Sequence, residues 1–248
     1  YTNWSNEDKN GIGLAGITWY QGEADANSTK MSMSTYTKAM EQMVNDYRTV
    51  FNDESLPFMY VQLAAFDNPS GEYAAMREAQ FNYMKGINTN NGVPENVGMA
   101  VITDNTDNIK DIHPRNKNEV GRRLSLWARK LVYKQDDVEY SGPIFESAQT
   151  VEEDGHSALE ISFEEGSVMN GLKLRDDALV GMKIAGADKN FVTVSNYRIS
   201  DDGKSLIVWS DDVENPEYVQ YGYYKLPTDA SLMNNDDLPA SAFRNYED

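Results

Sequence analysis

FMYVQLAAF, residues 58–66, decides the fold: it is a nearly unbroken apolar run after Pro57, interrupted only by Gln62. A strand covered on both faces reads this way, whereas a strand with one solvated face alternates apolar and polar residues. Upstream, ITWY (17–20) is a short β-branched and aromatic run, entered from a glycine-rich stretch and ended by Gln21, Gly22 and Glu23. Between the two runs, Tyr36, Met40, Met43, Val44, Tyr47 and Phe51 recur at helical spacing, which predicts a helix of about four turns beginning at Ser34. Downstream, Tyr73, Met76, Gln80 and Tyr83 mark a second helix, and GMAVIT (98–103) marks a third strand. Val120, Leu124, Trp127 and Leu131 mark a further helix, which Asn116 and Glu119 open as a capping box. Strands and helices alternating in this order predict an α/β layer with parallel strands, whose functional residues lie in loops beyond the strand C-termini.

After about residue 135 the texture changes. ALEISF (158–163), FVTVSNYRI (191–199), SLIVWS (205–210) and YVQYGYY (218–224) are short strand-like runs separated by DG, GADKN, DDG and ENP turns. The expected organisation is therefore an α/β part over 1–135 and a smaller all-β region, a layer or sandwich, over 136–248.

Charge narrows the partners. The 248 residues carry 22 Lys and Arg against 40 Asp and Glu, a net charge of −18. Such a chain repels phosphate, and no Lys/Arg cluster offers the counterion release that drives nucleic-acid binding, so neither nucleic acid nor an anionic membrane is an expected partner. No apolar run approaches the roughly 18–20 residues needed to span a bilayer. The opening YTNWSNEDKN has neither an initiator Met nor a basic leader region and reads as cut from a longer chain. Without Cys, and with His113 and His156 as its two imidazoles, the sequence gives no support for a metal centre or another cofactor.

Three motifs bear on chemistry. GIGLAG (11–16) satisfies G-x-G-x-x-G, but its glycines lead into a strand instead of following one, so it reads as a chance match to the dinucleotide fingerprint. W-Y-Q-G-E (19–23) places an amide, Gln21, and a carboxylate, Glu23, on either side of Gly22 at a strand end, where Gln21 can donate to a developing oxyanion. D-I-H-P (111–114) sets His113 beside Asp111 in a strand–helix loop; a carboxylate on one imidazole nitrogen frees the other as a general base. His156, in the turn EEDGH, reads as exposed and inert. Acid-rich turns at 201–202, 211–212 and 234–237 read as solvated loops. Two other readings compete on these residues. Glu23 with Asp104 or Asp111 is a candidate carboxylate pair for a glycosidase, and Tyr218, Tyr221, Tyr223 and Tyr224 are candidate platforms for a non-catalytic carbohydrate-binding protein.

GITWYQGEADAN (16–27), LPFMYVQLAAF (56–66), MREAQ (76–80), DIHPRNKNEVGRRLSLWA (111–128) and NNDDLPASAFR (234–244) together resemble the sialate O-acetylesterase family of SGNH-type carbohydrate esterases. The resemblance implies part of an SGNH-type, flavodoxin-like parallel sheet and a Ser–His–Asp acyl transfer that removes acetyl groups from sugars without a metal. By position, His113 matches the general base and Asp111 its acid partner. Gln21 matches the oxyanion donor, with Gly22 and Glu23 in the same binding loop. Gln62 and Arg77 match recurrent positions in pocket walls or packing, and Asp104 an acid without an assigned role. The family's nucleophile lies in a G-Q-S-N-type block that is missing from this sequence, and Ser5 lies too close to ITWY to replace it. The chain is thus expected to hold the C-terminal portion of an esterase and to be inactive alone, its nucleophile supplied from outside these residues, for example by an N-terminal companion chain. A sialate substrate would need a local cation such as Arg77 or Arg115. A glycan substrate would suit a periplasmic or extracellular setting.

Overall fold

The computed structural model describes residues 14–27 and 32–246; Ser5 and the first three residues of GIGLAG lie outside them. The chain divides into two compact units. The first gathers Tyr1–Leu63, Asn68–Ala100 and Asn116–Val138, and the second Ala64–Asp67, Val101–Arg115 and Glu139–Asp248.

In the first unit the elements run β1 (Ile17–Trp19), α1 (Glu23–Ala26), α2 (Met33–Phe51), β2 (Phe58–Val61), α3 (Tyr73–Lys85), β3 (Val97–Ala100) and α4 (Lys117–Leu131). The strands are parallel in the order β1-β2-β3, with Thr18 opposite Met59 and Met59 opposite Gly98. All four residues of the central β2 are buried, as its unbroken apolar run requires. The ladder ends sooner than the apolar run does. The Gln62 N–H donates to the Ala100 carbonyl at 2.9 Å, and the next N–H, of Leu63, donates to the Gln80 side-chain Oε1 at 2.9 Å. A side chain of α3 thus replaces a strand partner, and residues 62–65 stay buried as irregular chain.

Helix α2 starts where Ser32 Oγ accepts the Thr35 N–H and ends at Asn52 in the left-handed region, φ 49°. It buries the stripe Tyr36, Met40 and Val44. Helix α4 starts where Asn116 Oδ1 accepts the Glu119 N–H at 3.2 Å. The Glu119 carboxylate also holds Arg122 at 2.7–2.8 Å and Arg123 at 2.6 Å, and those guanidinium groups, Arg122 first, keep its pKa at about 2. Trp127 ties α4 to the sheet, its indole Nε1 donating to the Met99 carbonyl at 2.8 Å. The ring lies directly on Gly98, where any β-carbon would overlap it.

The second unit contains β4 (Phe145–Glu153), β5 (His156–Phe163), β6 (Leu172–Leu174), β7 (Met182–Ala185), β8 (Val192–Thr193), β9 (Asn196–Ile199), β10 (Ser205–Trp209), β11 (Tyr218–Tyr221), β12 (Leu232–Asn234) and β13 (Phe243–Arg244). They form antiparallel sheets ordered β4-β5-β10-β9 and β13-β11-β7-β8, with β12 and β6 paired separately. Leu159, Ile161, Leu206 and Val208 from one four-stranded sheet share a core with Met182, Ile184, Val219 and Tyr221 from the other, which makes a sandwich. Phe145 stacks on Phe243 with ring centres 4.5 Å apart. Tyr221, a candidate sugar platform by sequence, is a core residue instead: it is fully buried and its hydroxyl accepts the Leu232 N–H at 2.7 Å.

A buried polar knot fastens this sandwich. The Asn234 amide donates to Glu139 Oε1, the Ser141 carbonyl and the Ser167 carbonyl at 2.8–3.1 Å, and its oxygen accepts the Leu238 N–H at 3.1 Å. Burial, then the neighbouring Asp236 carboxyl, pushes Glu139 up to about 7, against the lowering effect of donors from Asn170 and Asn234. Among the described residues no helix is long and apolar enough to cross a membrane.

Candidate active site

The sequence-predicted residues stand in two groups, one on each unit. Gln21, Gly22 and Glu23 occupy the turn from β1 into α1, at the C-terminal end of a parallel strand, where α/β sheets present functional groups. Gly22 permits this turn: its φ of 147° is closed to ordinary side chains, and a β-carbon there would come 3.1 Å from the Tyr36 hydroxyl and 3.3 Å from Gln80 Nε2. The Gly22 carbonyl then accepts the Ala26 N–H at 2.8 Å and closes the first helical turn. Gln21 does not hang free. Its Nε2 donates to Asp25 Oδ2 at 3.0 Å, which fixes the orientation of the amide and uses one of its two N–H bonds. Sequence reasoning passed over Asp25, although its spacing of four residues from Gln21 is the signal that would have found it.

The loop's two carboxylates leave an electrostatic mark. Burial, aided by Asp25 and Glu23 and opposed by the Gln80 amide, pushes the Tyr36 hydroxyl up to about 12. Burial and then Glu23 raise Tyr20 as well, and Lys117 Nζ lies 4.8 Å from the centre of the Tyr20 ring. Both phenols are therefore neutral across the physiological range. Gln62 and Arg77 lie in the interior of the same unit. Both are fully enclosed, with Gln62 Nε2 donating to the Arg77 carbonyl at 2.9 Å. Arg77 is thus a core residue and is not displayed as a surface cation.

On the second unit, Asp111 and His113 sit in an irregular loop built from turns. Asn108 accepts the Lys110 N–H on its side chain and the Asp111 N–H on its carbonyl, each at 3.0 Å. The Ile109 carbonyl accepts the Asp67 N–H at 2.7 Å, and Asp67 in turn holds Lys225 Nζ at 3.1 Å. Asp111 Oδ1 accepts the His113 backbone N–H at 3.0 Å, an Asx turn that sets the path of the loop. His113 Nδ1 lies 3.9 Å from the same oxygen, beyond hydrogen-bond length, and the imidazole side chain is 82% exposed. Arg115 Nε stands 3.8 Å from the other oxygen of Asp111, which gives this loop an exposed cation. Asp104 is half-buried in the same loop. His156 opens β5, half-exposed, with its ring stacked over Trp209 and its Nδ1 3.7 Å from Asp211. Among the described residues no three His, Cys, Asp or Glu side chains cluster so as to hold a metal ion.

A parallel three-stranded α/β sheet followed in the chain by antiparallel β-sheets is the fold this chain shares with a solved carbohydrate acetylesterase. Residues 2–123 match the family described as carbohydrate esterase, sialic acid-specific acetylesterase, the family that the sequence motifs resemble. It is 30% identical to the human sialate O-acetylesterase over 158 residues, 57% of this chain and 29% of the relative. With the mouse sialate O-acetylesterase it is 29% identical over 142 residues, 53% of this chain and 26% of the relative. The solved structure of a carbohydrate acetylesterase from Xanthomonas citri superposes with a TM-score of 0.79 at 34% identity, covering 94% of this chain and 50% of that one. The chain thus spans under a third of the length of these curated relatives.

Proposed function

We propose that this chain carries the base and oxyanion halves of a carbohydrate O-acetylesterase. In the proposed reaction a serine from outside these 248 residues attacks the acetyl carbonyl while His113 takes its proton. Gln21, through the N–H not engaged by Asp25, stabilises the oxyanion of the tetrahedral intermediate. The intermediate collapses, the acyl C–O bond to the sugar breaks, and His113 gives its proton to the leaving sugar oxygen, which departs as a hydroxyl. Water, deprotonated by His113, then repeats the attack on the acetyl-serine and releases acetate. Asp111 positions the loop and, when its carboxylate meets Nδ1, stabilises the imidazolium. Glu23 braces the binding turn or contacts the sugar.

The observation that carries this reading is the Gln21 amide held by Asp25 at a strand end, in a chain that matches the acetylesterase family over residues 2–123. The substrate class is an acetylated sugar. The net charge of −18 disfavours anionic sugars in general, so a sialate substrate would draw on Arg115 beside Asp111. The test is acetate release from acetylated sialic acid and from acetylated xylan by a longer polypeptide that includes the nucleophile block. Gln21→Ala there should lower turnover about 10²- to 10³-fold and His113→Ala by more. The present chain alone should give no hydrolysis of p-nitrophenyl acetate. Turnover by it that disappears in His113→Ala would refute the claim that the nucleophile lies elsewhere.

A further inference from the structure

The sheet β13-β11-β7-β8 turns Phe243, Val219, Tyr221, Met182 and Ile184 into the core. Its other face carries a polar row: Thr193, Lys183, Gln220 and Arg244 stand directly opposite one another across the four strands. At about 4.8 Å per strand the row is about 14 Å long. It borders a pocket of about 430 Å³ whose wall includes Tyr223, Tyr224 and Asp229.

The polar groups on this face are prearranged. Tyr246 donates its hydroxyl to Gln220 Oε1 at 2.7 Å, which fixes the amide and leaves its NH₂ as the donor end. The Arg244 guanidinium carbon lies over two rings, 4.5 Å from the centre of Tyr223 and 5.0 Å from that of Tyr246. Tyr224 donates to Asp229 Oδ1 at 2.6 Å and so occupies part of the one carboxylate in the wall. Lys183 is exposed and, among the described residues, has no carboxylate within ion-pair distance. In a chain of net charge −18, two cations flanking a fixed amide donor form a local site of the opposite sign. Tyrosine rings beside them supply the flat apolar surface that the C–H face of a sugar ring covers.

We propose that this face binds a saccharide unit bearing a carboxylate, its ring against Tyr223 and Tyr224 and its charge toward Lys183, the Gln220 amide and Arg244. The proposal does not depend on the esterase reading. Titration of the whole chain with trigalacturonate and 3′-sialyllactose, against xylotriose and lactose as neutral probes, tests it. The acidic probes should bind at least tenfold more tightly than the neutral ones and weaken with added salt. Lys183→Ala, Thr193→Glu and Tyr223→Ala should each reduce that binding at least fivefold, while His113→Ala leaves it unchanged. Lys183 and Thr193 are exposed, so their variants should melt as the parent does and remain informative if Tyr223→Ala misfolds. Equal affinity for acidic and neutral probes, no binding of the acidic probes, or binding that follows His113 instead of Lys183 would overturn the proposal.

Discussion

Replacing Glu139 by Gln should stabilise the protein at alkaline pH and leave it nearly unchanged in acid. In the folded chain burial, then the Asp236 carboxyl, raises Glu139 from the usual 4.5 to about 7. Between those values the folded state holds a proton that the unfolded chain has released. Stability from this group is therefore complete below about pH 4.5 and is lost as pH rises through about 7. At about 1.4 kcal/mol per pKa unit, the loss amounts to at most about 3 kcal/mol by pH 8. Glutamine keeps the shape, accepts from the Asn234 amide or the Asn170 N–H, can donate to Asp236, and never ionises. Denaturant unfolding of parent and Glu139→Gln from pH 4.5 to 8 should give curves that nearly coincide in acid and separate by about 1–3 kcal/mol, in favour of the variant, at pH 8. Curves that stay parallel across the whole range would refute the buried, shared proton.

Gly98→Ala would drive a methyl group into the Trp127 ring and should cost about 1–3 kcal/mol, read as a lowered thermal midpoint. Asp25→Ala frees the Gln21 amide from its anchor. In a nucleophile-containing polypeptide it should slow acetate release about ten- to thirtyfold, the equivalent of one hydrogen bond to a charged group, with little change in KM.

The parallel sheet was legible because FMYVQLAAF and GMAVIT carry the apolar density of strands covered on both faces, and the helices because their apolar residues recur at 3.6-residue spacing. The strand end at Val61 was not legible. Residues 62–65 remain as buried as a strand, and it is the Gln80 side chain that takes over the next backbone donor. FVTVSNYRI reads as one strand but is two: Val192 and Thr193 pair with β7, and Asn196–Ile199 pair with β10 in the opposite sheet. A chain that turns a sandwich corner keeps its strand-like composition while changing sheets. β4 carries no strand signal in the sequence, because its residues, FESAQTVEE, are mostly polar and only partly covered. At the candidate site, sequence placed Gln21 and His113 correctly at strand-end loops, since Gly22 and Pro114 punctuate those loops. The enclosure of Arg77 depends on a side-chain direction that composition does not encode.

Ala64–Asp67 and Val101–Arg115 group with the sandwich even though first-unit residues flank them in the chain. The tethers are the Asp67 N–H on the Ile109 carbonyl and Lys225 on Asp67. A gene trimmed just after α4 would delete Lys225 and strip that anchorage from the stretch bearing His113. Anyone grafting this sandwich onto a related esterase must transplant both short stretches with it, because the imidazole travels with the β-rich half and not with the sheet that precedes it in sequence.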